Sequence, residues 1–432
     1  MNRTTILFVV LALLYAGTGF LFSWNLALSI LLMGLLSSIM ALGVNIQWGY
    51  AGLFNTGIMG FTALGGLAVV LVSAQPVVAG WNAGGPGILT GLLLGAASIA
   101  LAVFVWNRMA AGRARMLTTM AILVLGFVVF RAVIDPSVMA VESNDPATFG
   151  NLGGLGLPSL LAWPVGGLLA AAAAWAIGKT ALGLRSDYLA IATLGIAEII
   201  VAVMRNEDWL ARGVKNVDEL PRPWPVPYEV FLQKDPGFLD WVTRWGFDPV
   251  TASTIIVKLC YVVLFTLVLL AIIWLSERAL HSPWGRMMRA IRDNEVAANA
   301  MGKNVTKRHL QIFILGSAVV GIAGAMMTSM EGQLVPGTYN PLRFTFLIWV
   351  MVIVGGSGNN WGSVLGGLLI GWLWLIVESL GPGMMGLLTS GLADGWFKAH
   401  LVEAAPHMRL LTLGVILLLV LRFSPRGLLP GK

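Results

Sequence analysis

The sequence predicts an all-α protein: a polytopic transmembrane helical bundle of about 10–12 spans, some of them broken or short. Composition is the first observation that predicts it. Of 432 residues, 57% are hydrophobic and 11% charged, whereas a soluble domain carries about 25% charged residues. So few charges cannot coat a soluble protein of this size. Hydropathy is the second: its mean is +0.84. The third is arrangement. The apolar residues gather into runs near the roughly 20 residues that a helix needs to cross a bilayer core.

Twelve such runs lie near 5–22, 26–46, 50–73, 87–106, 116–135, 158–178, 187–204, 253–276, 309–330, 344–357, 361–378 and 409–423. The first follows Arg3 and has no small-x-small cleavage site after it, so it reads as an uncleaved span. The 52 glycines and 17 tryptophans suit close helix contacts and headgroup-level anchoring. The whole of 1–432 reads as one membrane domain.

The loops set orientation, because basic residues stay on the cytoplasmic side. Arg108, Arg113 and Arg115 occupy 107–115, and Lys179 and Arg185 flank 179–186. The 277–308 loop holds seven Lys and Arg residues, and the C-terminal tail holds Arg422, Arg426 and Lys432. All fall on one side. The other side receives 136–157, with Glu142 and Asp145 but no base, together with 379–408 and the long 205–252 loop. Twelve spans place both termini inside. The 205–252 segment reads as an ordered external cap, since Trp209, Trp224, Trp241 and Trp245 are too apolar for a linker.

The 277–308 loop carries the most information. Ser282 suits a helix cap, Pro283 the first turn and Gly302 the exit. Between them Trp284, Met287, Met288, Ile291 and Ala298 recur at helical spacing, with Arg286, Arg289 and Arg292 on another face. That pattern predicts a short amphipathic helix over 283–302. It suits either the inner leaflet surface or a cytoplasmic partner.

The run SPWGRMMRAIRDNEVAANAMG resembles the cytoplasmic coupling loop of ABC importer permeases, in the form found in the branched-chain (hydrophobic) amino acid uptake family. Three further segments resemble the same family in order: NIQWGYAGLFNTGIMGF, LRSDYLAIATLGIAEII and VIVGGSGNNWGSVLGGLLIG. The resemblance implies the longer of two permease subunits, in a bacterial inner membrane. It implies a homologous second permease, two cytoplasmic ATPases and an external substrate-binding protein as partners. The substrate would be a branched-chain or aliphatic amino acid, or urea or a short amide as in other members that the family resembles. Trp284, Gly285, Arg289, Ile291, Arg292, Glu295, Ala298 and Gly302 would form the ATPase-coupling element. The importer motif's Glu-Ala-Ala followed by Gly matches Glu295, Ala297, Ala298 and Gly302 with altered spacing.

Within the spans, Asn45, Gln47 and Asn55 interrupt an apolar stretch, and Glu198 stands in an apolar helix. Polar groups at membrane depth must find partners or line a wet path. These four are the candidate substrate-path residues; interhelical hydrogen bonding is the plainer reading of the asparagines. Asp187 reads as a helix cap, and Glu198 could pair with Arg185 or Asn206. Gly358, Gly362 and Gly366 form one small-residue stripe, and Gly367 and Gly371 another, best suited to helix packing. Trp48-Gly49 and Trp361-Gly362 suggest related positions of an internal repeat.

Other chemistries find little support. Gly178-Lys179-Thr180 ends like a phosphate loop, but Ala173 stands where its first glycine belongs. ATP would therefore be hydrolysed by partners, and the chain itself reads as non-enzymatic, with no cofactor. Cys260 is the sole cysteine and the four histidines show no metal-ligand spacing. The net charge of +7 comes without a basic run interleaved with aromatics, so nucleic acid is not an expected partner. An ion-coupled transporter would need clustered intramembrane acids, and a membrane transferase would need grouped acids or histidines at one face.

Overall fold

A computed structural model describes residues 2–144, 150–391, 395–404 and 407–431. Asp145 and Lys432, both assigned to loops above, lie outside the described residues. Among those described, the chain is helical, with one isolated antiparallel bridge between Val217 and Leu334.

The helices are α1 (Arg3–Leu21), α2 (Trp24–Ala51), α3 (Ile58–Ser73), α4 (Val78–Arg108), α5 (Arg113–Glu142), α6 (Ser159–Ala181) and α7 (Ser186–Asn206). Short helices α8 (Asp208–Ala211), α9 (Glu229–Lys234) and α10 (Pro236–Arg244) follow. Then come α11 (Pro249–His281), α12 (Pro283–Asp293), α13 (Glu295–Ala300), α14 (Val305–Glu331), α15 (Leu347–Gly355), α16 (Asn360–Leu388), α17 (Trp396–Glu403) and α18 (Met408–Phe423). Among the described residues, nine helices are long and apolar enough to cross a membrane. They correspond to nine of the twelve runs in the sequence. The other three runs give shorter helices: α3 and α18, with 16 residues each, and α15 with the π-helical turn Leu342–Phe346 that leads into it.

Several boundaries differ from the sequence reading. The runs 26–46 and 50–73 do not divide at residues 47–49. Helix α2 continues through them for 28 residues and stops at Gly52, which is left-handed at φ 69°. Asn45 and Gln47 thus sit inside a helix, and the break falls at 52–57. Pro86 and Pro136 lie inside α4 and α5 rather than ending them. The predicted helix over 283–302 is two helices. Asn294 is extended, at φ −156°, and its side chain caps α13 by accepting from Ala297 N at 2.9 Å. Asp187 lies in the first turn of α7, but no side chain caps that helix. Asp248 does cap α11. It accepts from Thr251 N at 2.9 Å, and these bonds to Thr251 hold its carboxyl below the usual range. The 205–252 segment is ordered, yet Trp224, Trp241 and Trp245 are exposed; of its tryptophans only Trp209 packs inward, against Ile88 and Ile134.

The core is formed by α2, α3, α6, α14, α15 and α16. Small residues let these backbones touch. A Cβ on Gly321 of α14 would stand 2.5 Å from the Gly166 carbonyl oxygen of α6. Without a hydrophobic force between lipid-immersed helices, such close packing is what holds them together. Gly321→Leu should therefore separate α6 from α14. The folded fraction recovered from membranes in mild detergent should fall several-fold, measured by size-exclusion chromatography; a wild-type profile would refute the packing role. The glycine stripes of α16 serve the same purpose. Gly362 and Gly366 meet Gly355 of α15, while Gly367 and Gly371 meet Ser38 and Gly34 of α2.

Helices α4 and α5 pack mainly on each other, and α7 lies against α3 and α6 at the edge of the core.

Candidate functional site

The polar residues inside the apolar bundle converge at one end. There α2 ends, α3, α14 and α16 begin, and α12–α13 cross beneath. Asn45 donates through Nδ2 to Asn360 Oδ1 at 3.1 Å and accepts from Gly358 N at 2.8 Å. Tyr50 also donates to Asn360 Oδ1, at 3.2 Å, and Asn360 Nδ2 donates to Glu277 Oε1 at 2.9 Å. One buried asparagine therefore joins α2, α11 and α16.

A second branch runs through Gln47. Its Nε2 donates to Phe313 O at 2.9 Å and to Ser317 Oγ at 3.0 Å, and its Oε1 accepts from Asn55 Nδ2 at 2.9 Å. Asn55 Oδ1 accepts from Gly57 N at 2.9 Å and so shapes the break between α2 and α3. Thr56 reaches Ala190 O at 2.5 Å, and Trp349 Nε1 donates to Asn55 O at 2.9 Å. Trp48, Phe54 and Trp349 close over the break with ring centroids 4.7–5.6 Å apart.

Asn45, Gln47 and Asn55 are fully buried and each makes hydrogen bonds within the chain. In this conformation they seal a joint rather than line an open channel. Their side chains satisfy backbone groups that a helix break exposes at membrane depth.

The 283–302 segment is fastened to this joint. Arg292 Nη1 donates to Gly49 O at 2.6 Å. The left-handed turn sends Gly52 N to Trp48 O and Leu53 N to Gln47 O, so Gly49 presents one of the carbonyls that a helix end leaves over. A cation is well placed there, at the negative end of the α2 dipole. Trp284 Nε1 and Arg308 Nη1 both donate to Gln311 Oε1, at 3.2 and 3.0 Å, tying α12 to α14. Gly285 is pressed on the Leu280 backbone, where a Cβ would come within 2.6 Å of its carbonyl carbon.

The apolar side of α12 faces inward. Ile291 is 1% exposed and Met288 is fully buried, both in the main core. Sequence periodicity marks Ile291 as part of a coupling face; the structure buries it within the chain. What the segment presents outward is α13 and the residue that caps its end: Val296 is 80% and Met301 79% exposed. Ala298 is half-buried, Glu295 is exposed, and Gly302 ends the segment at φ 75°. Arg289 lines a cleft of about 310 Å³ with Glu277, Asn360 and Trp361; Arg292 and Glu295 line another of about 180 Å³ with His309.

Glu198 does not join the network. It lies on the exposed side of α7, with neither Arg185 nor Asn206 as a partner; Asn206 Nδ2 donates to Ala202 O at 2.7 Å. The two Trp-Gly pairs are not equivalent positions either. One occupies the last turn of α2 and the other the first turn of α16. They come together because the segments pack on each other: a Cβ on Gly49 would be 2.5 Å from Gly358 N. Residues that the sequence did not single out for this site include Asn360, Glu277, Thr193 and Trp349. Only Asn360 had a visible signal, a polar residue opening a glycine-rich apolar run.

A bundle with nine helices long and apolar enough to cross a membrane among the described residues, joined by a polar network and a fastened amphipathic segment, fits a multi-pass membrane protein. The profile of a family described as "Branched-chain amino acid transport system / permease component" matches residues 120–421, and the chain belongs to that family. The match begins in α5, so Asn45, Gln47 and Asn55 precede it. Among curated relatives, the chain is 28% identical over 280 residues to the high-affinity branched-chain amino acid transport system permease protein LivM of Escherichia coli (strain K12), covering 64% of this chain and 58% of the relative. It is 25% identical over 249 residues to "Probable branched-chain amino acid transport permease protein LivM" of Methanocaldococcus jannaschii, covering 58% and 61%. "Probable branched-chain amino acid transport permease protein LivH" of the same organism is 30% identical over 161 residues, covering 37% and 45%. The chain thus spans about three fifths of the length of the LivM relatives. No solved structure matches.

Proposed function

We propose that this chain is a permease subunit of an ATP-driven ABC importer, moving branched-chain or other aliphatic amino acids inward by alternating access. The Arg292–Gly49 bond carries this reading, because it ties an exposed amphipathic segment to the break in a core helix. The names of the relatives supply the substrate class and the transport system. The basic loops support a cytoplasmic location for α12–α13 and both termini, and the family resemblance implies a bacterial inner membrane.

In this reading one of two cytoplasmic ATPases docks on α13 of this chain. Val296 and Met301 provide the apolar contact, and Arg286 the flanking charge. Movement of α13 passes through α12 and Arg292 to the end of α2, and from there to the 52–57 break. An external binding protein delivers the substrate, and the passage lies between this chain and a homologous permease.

Co-purification tests the docking arm. Val296→Asp with Met301→Asp should abolish recovery of the ATPase while leaving the membrane subunit monodisperse, since both side chains are exposed. Ile291→Asp should act differently. It buries a carboxylate in the core and should lower the folded subunit itself, by several kcal/mol. If the double variant retains its ATPase, α13 is not the docking element. If wild-type complex reconstituted with its partners shows no ATP-driven uptake of L-leucine, urea or acetamide, the importer reading fails and an ion-coupled transporter takes its place.

A further inference from the structure

We infer that Glu198 recognises the ammonium group of a zwitterionic substrate, and that α7 forms this chain's wall of the passage. The inference rests on the importer reading above and deepens it.

Helix α7 buries one stripe, made of Leu189, Thr193, Ala197, Val201 and Met204. The opposite stripe is open along the whole helix: Tyr188, Ile191, Gly195, Glu198, Ala202 and Asn206. Ile191 is 70% exposed, and Ile199 beside the stripe is 62% exposed. The spacing of three and four residues makes this a single face. Nothing lies within 4 Å of a Cβ built on Gly195, one turn before Glu198. Glu198 itself has no hydrogen bond or ion pair among the described residues.

Depth decides what covers this face. Helix α7 has 21 residues, a rise of about 31 Å, and so matches the hydrocarbon core. Glu198 follows Ser186 by twelve residues, about 18 Å along the axis. A carboxylate there cannot face acyl chains cheaply, because an ionised acid at the centre of a span gives up its hydration. Water, or protein with water, must cover it. The chain resembles both a LivM and a LivH permease of one organism, which favours a homologous permease as the body across the passage.

The chemistry of the face then selects the ligand. Between Ile191 and Ala202 it is aliphatic and small apart from one acid, with Tyr188 and Asn206 at its ends and no Lys or Arg between Arg185 and Arg205. Such a wall suits an aliphatic side chain, while its single negative charge attracts a cation. A zwitterionic aliphatic amino acid supplies both, through its ammonium. A neutral amide would be held only by hydrogen bonds, which a glutamine at 198 accepts as well. Charge therefore separates the two substrate classes that the family resemblance leaves open.

Two measurements on the assembled complex test the assignment. In proteoliposomes, Glu198→Gln should reduce L-leucine uptake at least tenfold, mainly through a higher KM. In a Cys260→Ala background, single cysteines at 191, 195, 198 and 202 should react with a membrane-impermeant, water-soluble thiol reagent, and leucine should slow the reaction at 195 and 202, where Glu198 is intact. Unchanged leucine uptake by Glu198→Gln would overturn the ammonium role. Labelling at 195, 198 and 202 only by a lipid-soluble maleimide would overturn the passage wall. Wild-type uptake of acetamide but not leucine would also overturn it, by removing the ammonium. These failures differ from failure of the importer reading, in which wild type shows no ATP-driven uptake of any substrate.

Discussion

Asn360→Leu should lower the stability of the permease by about 2–4 kcal/mol, seen as an earlier thermal transition of the purified subunit in detergent. The side chain is almost fully buried at the first turn of α16. Leucine has the same branched shape and number of heavy atoms, so no cavity opens. What is lost is pairing. Asn45 Nδ2 and Tyr50 OH lose their acceptor, and Glu277 loses a donor. Leaving a buried polar group without a partner costs about 1–3 kcal/mol, and here more than one is stranded at once. Asn360→Asp discriminates further. It keeps an acceptor for Asn45 and Tyr50 but sets a carboxylate against Glu277, so it should be destabilising too. Replacing Asn45 and Asn360 together should cost less than the sum of the single changes, because the two share one bond. Strictly additive effects would show that the joint is not a connected network.

Arg292→Ala should uncouple rather than unfold. Expected is a tenfold to hundredfold loss of ATP-driven uptake, with ATPase co-purification retained. The charged bond to Gly49 O is worth about 1.5–3 kcal/mol, and each 1.4 kcal/mol is a factor of ten. Arg292 is partly exposed, and its other donors reach Asp293 Oδ1 at 3.0–3.1 Å, a neighbour on the same segment. The core does not depend on it. Arg292→Lys should recover part of the uptake, since an ammonium can reach one carbonyl but cannot also hold Asp293 in a planar fork. Full uptake by Arg292→Ala would remove this arginine from the coupling route. Loss of the ATPase instead would make it part of the docking surface.

The sequence made some parts of this architecture legible and not others. Ser282 and Pro283 mark the start of α12 because capping is local chemistry: Ser282 Oγ accepts from Gly285 N at 3.4 Å. Gly302 marks the exit for the same reason. The Asn294 break was hidden, since an asparagine inside an amphipathic pattern looks like one more polar position. Direction was hidden as well. Periodicity shows that Trp284, Met288 and Ile291 share a face, but not whether that face meets a partner or the chain's own core. Asn45, Gln47 and Asn55 stood out as polar residues in apolar runs, while their partners Phe313, Ser317 and Asn360 lie hundreds of residues away in some cases.

By itself the sequence determined the membrane as solvent, most of the spans, the basic side and the family, because composition, run length and local motifs carry that information directly. Tertiary structure alone decided that α2 ends at Gly52, that the intramembrane asparagines are spent on one another, that Ile291 is core and α13 the exposed element, and that Glu198 stands on an open face. The physical reason is common to all four. Each depends on which groups meet across the bundle, and a polar or apolar side chain acquires its role only from the partner that desolvates or satisfies it.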